Sequence, residues 1–431
     1  MNNPSETVRK FMLDQLESGR FAPGKRLPGS RKIAEELNIS RPVVKNALDT
    51  MVNEGILKAA ERSGLYVENE WQDRQIRGSL RVFTSDPLPW LDMFQSEMAK
   101  IQPGLHITTR FRSCPLEITT TVFAQAGHDE FIDLMPFLKD CFPDLTPFYA
   151  EQLQPFIRNG RLSALPFVFS PRLIALNRKM LREAGCEEPS PGWLVSDLVK
   201  LAERLRQKFP PERILSRRTT FFAWINFVLS CGGSLFDPEN HRIVAFDSPG
   251  ALAGFRAAKA LNPRPKGPNL PLEQSAMAII DRQTYRRFQH EMQGDWLFLP
   301  VPGDTPERTG ISMQATELFA VRRNNLDQAL IAPIIRFLWS EKFQDHLAAL
   351  RYGIPILKRS AEKSFVSGQM PDQLFKRYCP MIRNDYQLSE RELMMLICLG
   401  VDKILSREGN VDREIADLAD TVRKYVKYRY E

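Results

Sequence analysis

Apolar residues in the first 70 positions recur every three or four residues in three stretches, a spacing that predicts three short helices. The first stretch begins at Ser5 and stops at Gly19, and the second covers Ser30–Leu37. The third follows Ser40 and has Pro42 in its first turn, where the missing N–H of proline is harmless. The next segment, "GILKAAERSGLYVEN", alternates like two short strands around a turn. The pattern predicts a helix-turn-helix with a β-wing.

From residue 79 the pattern changes to short apolar strands that alternate with amphipathic helices. The segments "SLRVFTS" and "EFIDLMPF" are typical of strands, and "LVSDLVKLAERLRQKF" is typical of a helix. This alternation predicts an α/β body with mainly parallel sheets, ending in charged helices from about residue 385. The predicted class is therefore multidomain, with a winged domain over 1–69, a polar linker over 70–78 and a body over 79–431.

The amino-acid composition is that of a globular protein rather than a membrane-spanning one. The chain has 431 residues, 43 % of them hydrophobic and 26 % charged, which is typical of a globular protein with two or three domains. No secretory signal is visible, and the most apolar run, 221–229, is far too short to span a bilayer. We therefore expect a soluble, cytoplasmic protein without a membrane partner.

The sequence contains few candidate catalytic or metal-binding residues. Six cysteines and five histidines are scattered, with no C-x-x-C pair and no histidine at ligand spacing. We expect free thiols in a reducing compartment, and we predict neither a metal site nor a cofactor. The nucleophile-elbow, P-loop and H-E-x-x-H motifs are absent from the sequence, so we expect no enzymatic activity.

Positive charge is concentrated in one part of the N-terminal unit. The whole chain carries a net charge of +7, and residues 1–70 have 11 basic against 10 acidic side chains. Within residues 20–45, however, 7 basic side chains stand against 2 acidic ones. The solvated face of a small helical bundle is one explanation, but charge placed in this way favours a contact surface for a polyanion.

The N-terminal motifs also resemble a known family. "RLP", "IAEEL", "SR", "V-K-x-A-L", "EG-I-L" and "G-L-Y-V" are similar in order and spacing to the GntR-type winged helix-turn-helix. The resemblance implies a double-stranded DNA operator, with arginines at the major groove and the wing at the minor groove. Lys45 stands where the family usually has arginine, which implies softer base discrimination because lysine lacks the bidentate fork. The predicted DNA contacts are Arg31, Ser40, Arg41, Lys45, Asn46 and Gly64.

The body, over about residues 79–425, resembles the type 2 periplasmic-binding-protein fold of the family-1 extracellular solute-binding proteins, which deliver sugars to ABC transporters. The motifs that carry the resemblance include "LRVFTS", "GRLSALP", "CGGSLFD", "AMAII" and "YGIPILK". Two departures are "IALN", where the family often has a tyrosine before the asparagine, and the missing aspartate before Gly160. The resemblance implies two lobes hinged around a cleft for a small molecule, which we expect to be a carbohydrate.

The resemblance also suggests which residues line that cleft. Sugars are held by aromatic faces, together with carboxylates and amides that bond to hydroxyl groups. The candidates are Asp86, Trp90, Phe137, Asp140, Phe222, Trp224 and Tyr285. Each aromatic residue among them is also typical of a core. We prefer Trp90 and Tyr285, because their charged or proline-rich neighbours indicate exposed loops.

A binding protein that carries a DNA-binding unit in place of an export signal cannot feed a transporter. We therefore expect a one-component transcriptional regulator whose DNA binding is modulated by a ligand, acting as a homodimer on a pseudo-palindromic site. Two alternatives stay open. The body can be a ligand-free dimerisation or protein-interaction module, or the aminotransferase-like enzyme, dependent on pyridoxal phosphate, that also occurs fused to GntR-type heads.

Overall fold

The chain is described by a computed structural model, and every structural statement below refers to the residues that it describes. These are residues 4–60, 63–71, 78–82, 88–102, 105–109, 114–216, 223–237, 240, 242–261, 270–323, 328–365, 371–383 and 390–430. Asp86 and Phe222, two of the predicted ligand residues, lie outside them.

The N-terminal domain is the winged helix that the pattern predicts. Its elements are α1 (Pro4–Glu17), α2 (Ser30–Leu37), α3 (Arg41–Asn53), β1 (Leu57–Ala60) and β2 (Gly64–Val67). The strands form an antiparallel hairpin, and one apolar face of each helix supplies the core. Trp71, from the predicted linker, is buried in this core. Ser40 precedes α3 as expected, but its side chain makes no capping hydrogen bond.

The elements of the body follow in chain order. The helices are α4 (Leu91–Ile101), α5 (Thr121–Ala126), α6 (Met135–Cys141), α7 (Arg178–Glu183), α8 (Val195–Lys208), α9 (Ala223–Ser230), α10 (Pro249–Leu261), α11 (Arg282–Arg287), α12 (Ile331–Leu338), α13 (Glu341–Leu350), α14 (Lys358–Ser364), α15 (Asp372–Tyr378), α16 (Arg391–Leu405) and α17 (Val411–Tyr430). The strands are β3 (Ser79–Val82), β4 (His106–Thr108), β5 (Leu116–Thr120), β6 (Ile157–Arg158), β7 (Arg161–Leu162), β8 (Ala164–Ser170), β9 (Leu173–Asn177), β10 (Met277–Ile280), β11 (Trp296–Pro300), β12 (Ser312–Met313), β13 (Ala315–Val321), β14 (Ile354–Pro355) and β15 (Ile382–Arg383).

The body has two lobes, each with its own apolar core. In the described part of the chain, lobe 1 contains a six-stranded sheet in the order β14-β8-β13-β5-β3-β4, and lobe 2 a three-stranded sheet in the order β10-β9-β11. Helices α4, α12 and α13 contribute to the first core, and α8, α9, α10, α16 and α17 contribute to the second. The chain passes from lobe 1 to lobe 2 between β8 and β9, returns between β11 and β13, and passes to lobe 2 again between α14 and α16.

The prediction of mainly parallel sheets is wrong. Strand β3 runs parallel to β4 and β5, but β13 runs antiparallel to both β5 and β8. The lobe 2 sheet is antiparallel as well. Strand crossing between the lobes explains the difference, because β8 leaves lobe 1 where β13 re-enters it, and the two strands must therefore point in opposite directions.

The strand predicted over "EFIDLMPF" is also wrong. Only an isolated bridge joins Phe131 to Arg322, and helix α6 begins at Met135. The Asp133 carboxylate accepts hydrogen bonds from the backbone N–H groups of Met135 (3.0 Å) and Leu162 (2.9 Å). A carboxylate that bonds to the backbone two residues on forms a turn, and this turn ends the extended segment before α6 begins.

Helix α1 packs against β4, the edge strand of the lobe 1 sheet, and connects the winged helix to the body. The buried His106 places Nδ1 3.6 Å from Asp14 and Nε2 3.4 Å from Glu17, and Thr108 Oγ1 donates a hydrogen bond to Glu17. Cys114 of the body is buried in the core of the winged helix. We call these five residues the joint. Three of them bring possible metal ligands within 4.8 Å of one another, but each imidazole nitrogen faces a different carboxylate, which is the geometry of ion pairs.

Candidate DNA-binding groove and lobe-junction cavities

A groove with a volume of about 960 Å³ runs between α3 and the β1–β2 wing. Its charged lining residues are Arg20, Arg26, Lys32, Glu36, Arg41, Lys45 and Asp49. Arg20 pairs with Glu36 at 3.1 Å. Within the described chain, the other four cations of the groove form no ion pair, so the groove holds uncompensated positive charge. Such charge attracts phosphate groups.

The first half of α3 supplies two of these cations. Arg41 and Lys45 lie one turn apart, and both line the groove. Arg41 Nε donates a hydrogen bond to Ser30 Oγ at 3.3 Å, which ties the start of α3 to the start of α2. Ser40 and Asn46 are exposed on the same end of α3 but outside the groove lining. The arrangement fits insertion of the N-terminal half of a recognition helix into the major groove.

Arg31 lies outside the groove lining. It is exposed in the first turn of α2, and its Nε is 3.1 Å from Glu35 Oε1. An exposed pair one helical turn apart is weak, so a DNA phosphate can compete with Glu35 for the guanidinium. A phosphate contact therefore suits this position better than a base contact.

Arg26 is absent from the predicted contacts, although the structure places it beside the wing. It forms a β-bridge with Tyr66 in β2, and it lines the groove. Gly64 has a φ of 108°, and a Cβ there would lie 3.0 Å from Arg26 Nε. The "RLP" motif contains the signal for Arg26, but its contact with the wing arises only from tertiary packing.

Trp90 is a core residue, so its predicted place on an exposed loop is wrong. It immediately precedes α4, and its spacing from Phe94 puts both side chains on the buried face of that helix. Its ring packs edge-on against Phe94, Phe167 and Phe343, with centroids 5.7, 5.5 and 6.0 Å away. The indole Nε1 donates a hydrogen bond to the buried Glu317 at 2.9 Å. Trp90 therefore has no face left for a ligand.

Phe137 and Asp140 lie on α6 and not on the predicted strand. Phe137 is half-buried against the lobe 1 core. Asp140 is exposed, 3.8 Å from Arg336. Neither residue lines either of the two cavities between the lobes that are described below.

Trp224 lies on α9 in lobe 2 and is almost fully buried. Its ring packs against Phe255, with centroids 5.4 Å apart. Among the described residues, its Nε1 has no hydrogen-bond partner. A buried donor without a partner is uncommon, so Trp224 stays a candidate ligand contact.

Tyr285 lines a small pocket between α11 of lobe 2 and the end of α13 in lobe 1. Arg286, Arg351 and Asp372 also line it, and Arg351 lies 2.5 Å from Asp372. The volume is about 120 Å³. Small-molecule sites usually need about 300–1,000 Å³. In this conformation the pocket therefore accepts a water or a small polar group rather than a sugar ring.

A larger cavity, of about 410 Å³, lies where lobe 1 meets the segment after α15. We call it the lobe-junction cavity; its aromatic and polar lining consists of Tyr149, Glu151, Gln152, Glu362, Phe365 and Lys376. Lys376 Nζ is 2.5 Å from Glu362 and 5.5 Å from the centre of the Phe365 ring. The volume of the lobe-junction cavity falls in the usual range for a ligand site. Sequence reasoning missed these residues, because they come from three distant segments.

Three buried glutamines surround the segment that re-enters lobe 1. Gln314 Nε2 donates to the backbone oxygen of Gln152, and Gln283 Nε2 donates to that of Ala315, both at 3.5 Å. Within the described part of the chain, the side-chain oxygens of the three glutamines accept no hydrogen bond. A buried acceptor without a donor costs about 1–3 kcal/mol. Hydroxyl groups of a ligand, or water, would remove that cost.

Comparison with known proteins assigns the N-terminal domain. Residues 4–67 match the family described as bacterial regulatory proteins, gntR family. This domain is a GntR-type winged helix. The HTH-type transcriptional repressor NagR of Bacillus subtilis is 36 % identical over 79 residues, which make up 18 % of this chain and 32 % of NagR. The match thus spans about a third of that relative's length.

The body is similar to two-lobed solute-binding proteins. An ABC substrate-binding protein from Listeria monocytogenes, in complex with cycloalternan, has a TM-score of 0.66 at 15 % identity, covering 82 % of this chain and 99 % of that chain. UgpB from Mycobacterium tuberculosis, in complex with glycerophosphocholine, has a TM-score of 0.65 at 12 % identity with the same coverage. These likenesses confirm the expected fold. In the described ranges, no helix has both the length and the apolarity that a membrane span requires.

Proposed function

We propose that the protein is a one-component transcriptional regulator, in which the winged helix binds a DNA operator and a small molecule in the body changes that binding. One observation carries the proposal: a groove with four unpaired cations beside the recognition helix shares a chain with a two-lobed solute-binding fold. The effector acts by binding the open and closed arrangements of the lobes with different affinity. Two copies on a pseudo-palindromic site complete the expected assembly.

The lobe-junction cavity is the proposed ligand site. Its aromatic rings, carboxylates and amide are the groups that bind polyhydroxylated molecules. Lys376 is paired with Glu362, and Glu151 adds a second carboxylate, so the lining favours a neutral ligand over an acidic one. One structural neighbour is in complex with cycloalternan and another with glycerophosphocholine, so the fold does not by itself select the class of ligand. The lining favours a neutral carbohydrate.

Thermal unfolding of the full chain against sugars, sugar acids, sugar phosphates and glycerophosphodiesters tests the ligand site. A ligand at about 100 times its dissociation constant should stabilise the native state by about 2.7 kcal/mol. Tyr149→Ala and Gln152→Ala should remove that shift. Gln289→Ala, in the Tyr285 pocket, is the matched control and should keep it.

DNA binding is measured in parallel, with an operator selected from a random duplex library. A compound that stabilises the body and changes operator affinity supports the whole proposal. A stabilising compound that is unaffected by Tyr149→Ala places the ligand elsewhere. Operator binding without a response to any compound favours the alternative of a ligand-free interaction module.

A further inference from the structure

The position of the joint determines which part of the body can move relative to DNA. His106, Thr108 and Cys114 all belong to lobe 1, and they contact α1 or the core of the winged helix. The winged helix and lobe 1 are therefore held together, and a hinge motion displaces lobe 2 relative to both. For that motion to change the spacing of two winged helices, the two copies must touch through lobe 2.

Lobe 2 presents a suitable surface on α16. The inner face of this helix packs into the lobe 2 core through Leu393, Ile397 and Val401. Its outer face carries Met395 and Leu399, whose residues are 45 % and 59 % exposed. Within the described chain, only three other large apolar residues are comparably exposed, and no two of those lie one helical turn apart.

Charged residues border this apolar pair on both sides. Glu392 precedes Met395 and Lys403 follows Leu399, and helical spacing puts all four on one face. Among the described residues, neither Glu392 nor Lys403 forms an ion pair. The face thus runs from a negative end, through an apolar centre, to a positive end.

Such a face is complementary to itself. We propose that a second copy of the chain docks on it, with the two α16 helices antiparallel about a two-fold axis near residue 397. Met395 then meets Leu399 of the second copy, and Glu392 meets Lys403 of the second copy. Because each copy supplies both charges, one axis closes the assembly as a dimer. The role of this interface rests on the proposed function: if the copies are joined through lobe 2, a motion of the lobes changes the spacing of the two DNA-binding domains.

Sedimentation velocity of the full chain, without DNA or ligand, tests the interface. The wild type should be a dimer at micromolar concentration, and Met395→Asp with Leu399→Asp should raise the dissociation constant at least about tenfold. Ile243→Asp is the matched control, because Ile243 is a 53 % exposed apolar residue in the segment between α9 and α10. Circular dichroism checks that each variant is folded.

Charge reversal gives a second test that does not depend on the apolar residues. Glu392→Lys and Lys403→Glu should each weaken the dimer, and the two changes together should restore it, since the swapped face is again self-complementary. A monomeric wild type, a Met395→Asp/Leu399→Asp variant that dimerises normally, or a double reversal without rescue would each overturn the interface. The proposed function is judged separately, by DNA binding and ligand response, so a dimer that binds no ligand leaves the interface standing.

Discussion

At the scale of single residues, Arg41 is the groove cation whose position is best defined. It begins the recognition helix and is held by Ser30. Arg41→Ala should cost about 1–3 kcal/mol of specific binding, because a base-edge contact is lost. Arg31→Ala should instead lower the slope of log affinity for DNA against log salt concentration by about 1, the effect of losing one phosphate contact, without changing the preferred DNA sequence. Fluorescence anisotropy at several salt concentrations separates the two; wild-type operator affinity in Arg41→Ala would refute this docking of α3.

Gly64 allows the wing to pass close to Arg26. Its φ of 108° is a conformation that side chains rarely adopt, and an added Cβ would lie 3.0 Å from Arg26 Nε. Gly64→Ala should therefore lower the free energy of unfolding by about 1–3 kcal/mol, and it should weaken DNA binding by displacing Arg26. Chemical denaturation measures the first effect. Gly192→Ala, where a Cβ meets nothing within 4 Å, is the control, and equal losses in both variants would contradict the explanation.

Glu317 makes the stability of lobe 1 depend on pH. Burial raises the pKa of this carboxyl from 4.5 to about 7, although Tyr352 and Trp90 donate hydrogen bonds to it. Between these values the folded chain retains a proton that the unfolded chain releases, so stability falls as pH rises through this window. Glu317→Gln should flatten that fall in thermal unfolding between pH 4.5 and 7. An unchanged pH profile would mean that Glu317 does not titrate there.

At the scale of elements, the joint between α1 and β4 should make the winged helix and lobe 1 unfold together. His106→Ala removes the buried ring that faces two carboxylates, one of which, Asp14, already has a pKa raised by burial. The expected cost is about 1–3 kcal/mol, and calorimetry should show the winged helix melting as a separate, earlier transition. His290→Ala, at an exposed position, should keep the wild-type trace. A single unshifted transition in His106→Ala would show that the joint does not couple the domains.

The spacing of apolar residues along the sequence is enough to predict the helices and strands whose formation depends on neighbouring residues. The helices and wing of the N-terminal domain follow from their apolar spacing, and resemblance supplied the fold of the body. The errors have tertiary causes. Residues 131–134 lose their strand because Asp133 forms a turn ahead of α6, and Trp90 is buried because α4 continues from it. The lobe-junction cavity joins Tyr149 to Lys376 across more than 200 positions, a contact that periodicity does not contain.

At the scale of the whole molecule, ion pairs join the lobes at more than one place, and one of these networks centres on Glu130. Glu130 of lobe 1 accepts two hydrogen bonds from Arg391 of α16, each at 3.1 Å. It also accepts one from Arg322 of lobe 1 at 2.7 Å. A carboxylate held by two guanidinium groups is a stronger contact than an isolated surface pair. The network therefore stabilises the arrangement of the lobes in this structure.

Glu130→Gln should shift the population towards the open arrangement, because a neutral amide cannot balance two guanidinium charges. Small-angle X-ray scattering should then report a larger radius of gyration without ligand. A ligand that binds only the closed form would lose apparent affinity in proportion to the closed fraction that is lost. Asp140→Asn is the matched control, since its 3.8 Å contact with Arg336 lies within lobe 1. If Glu130→Gln scatters like the wild type, this network does not hold the lobes together, and the pairs that Asp372 forms with Arg282 and Arg351 are the next charged contacts to test.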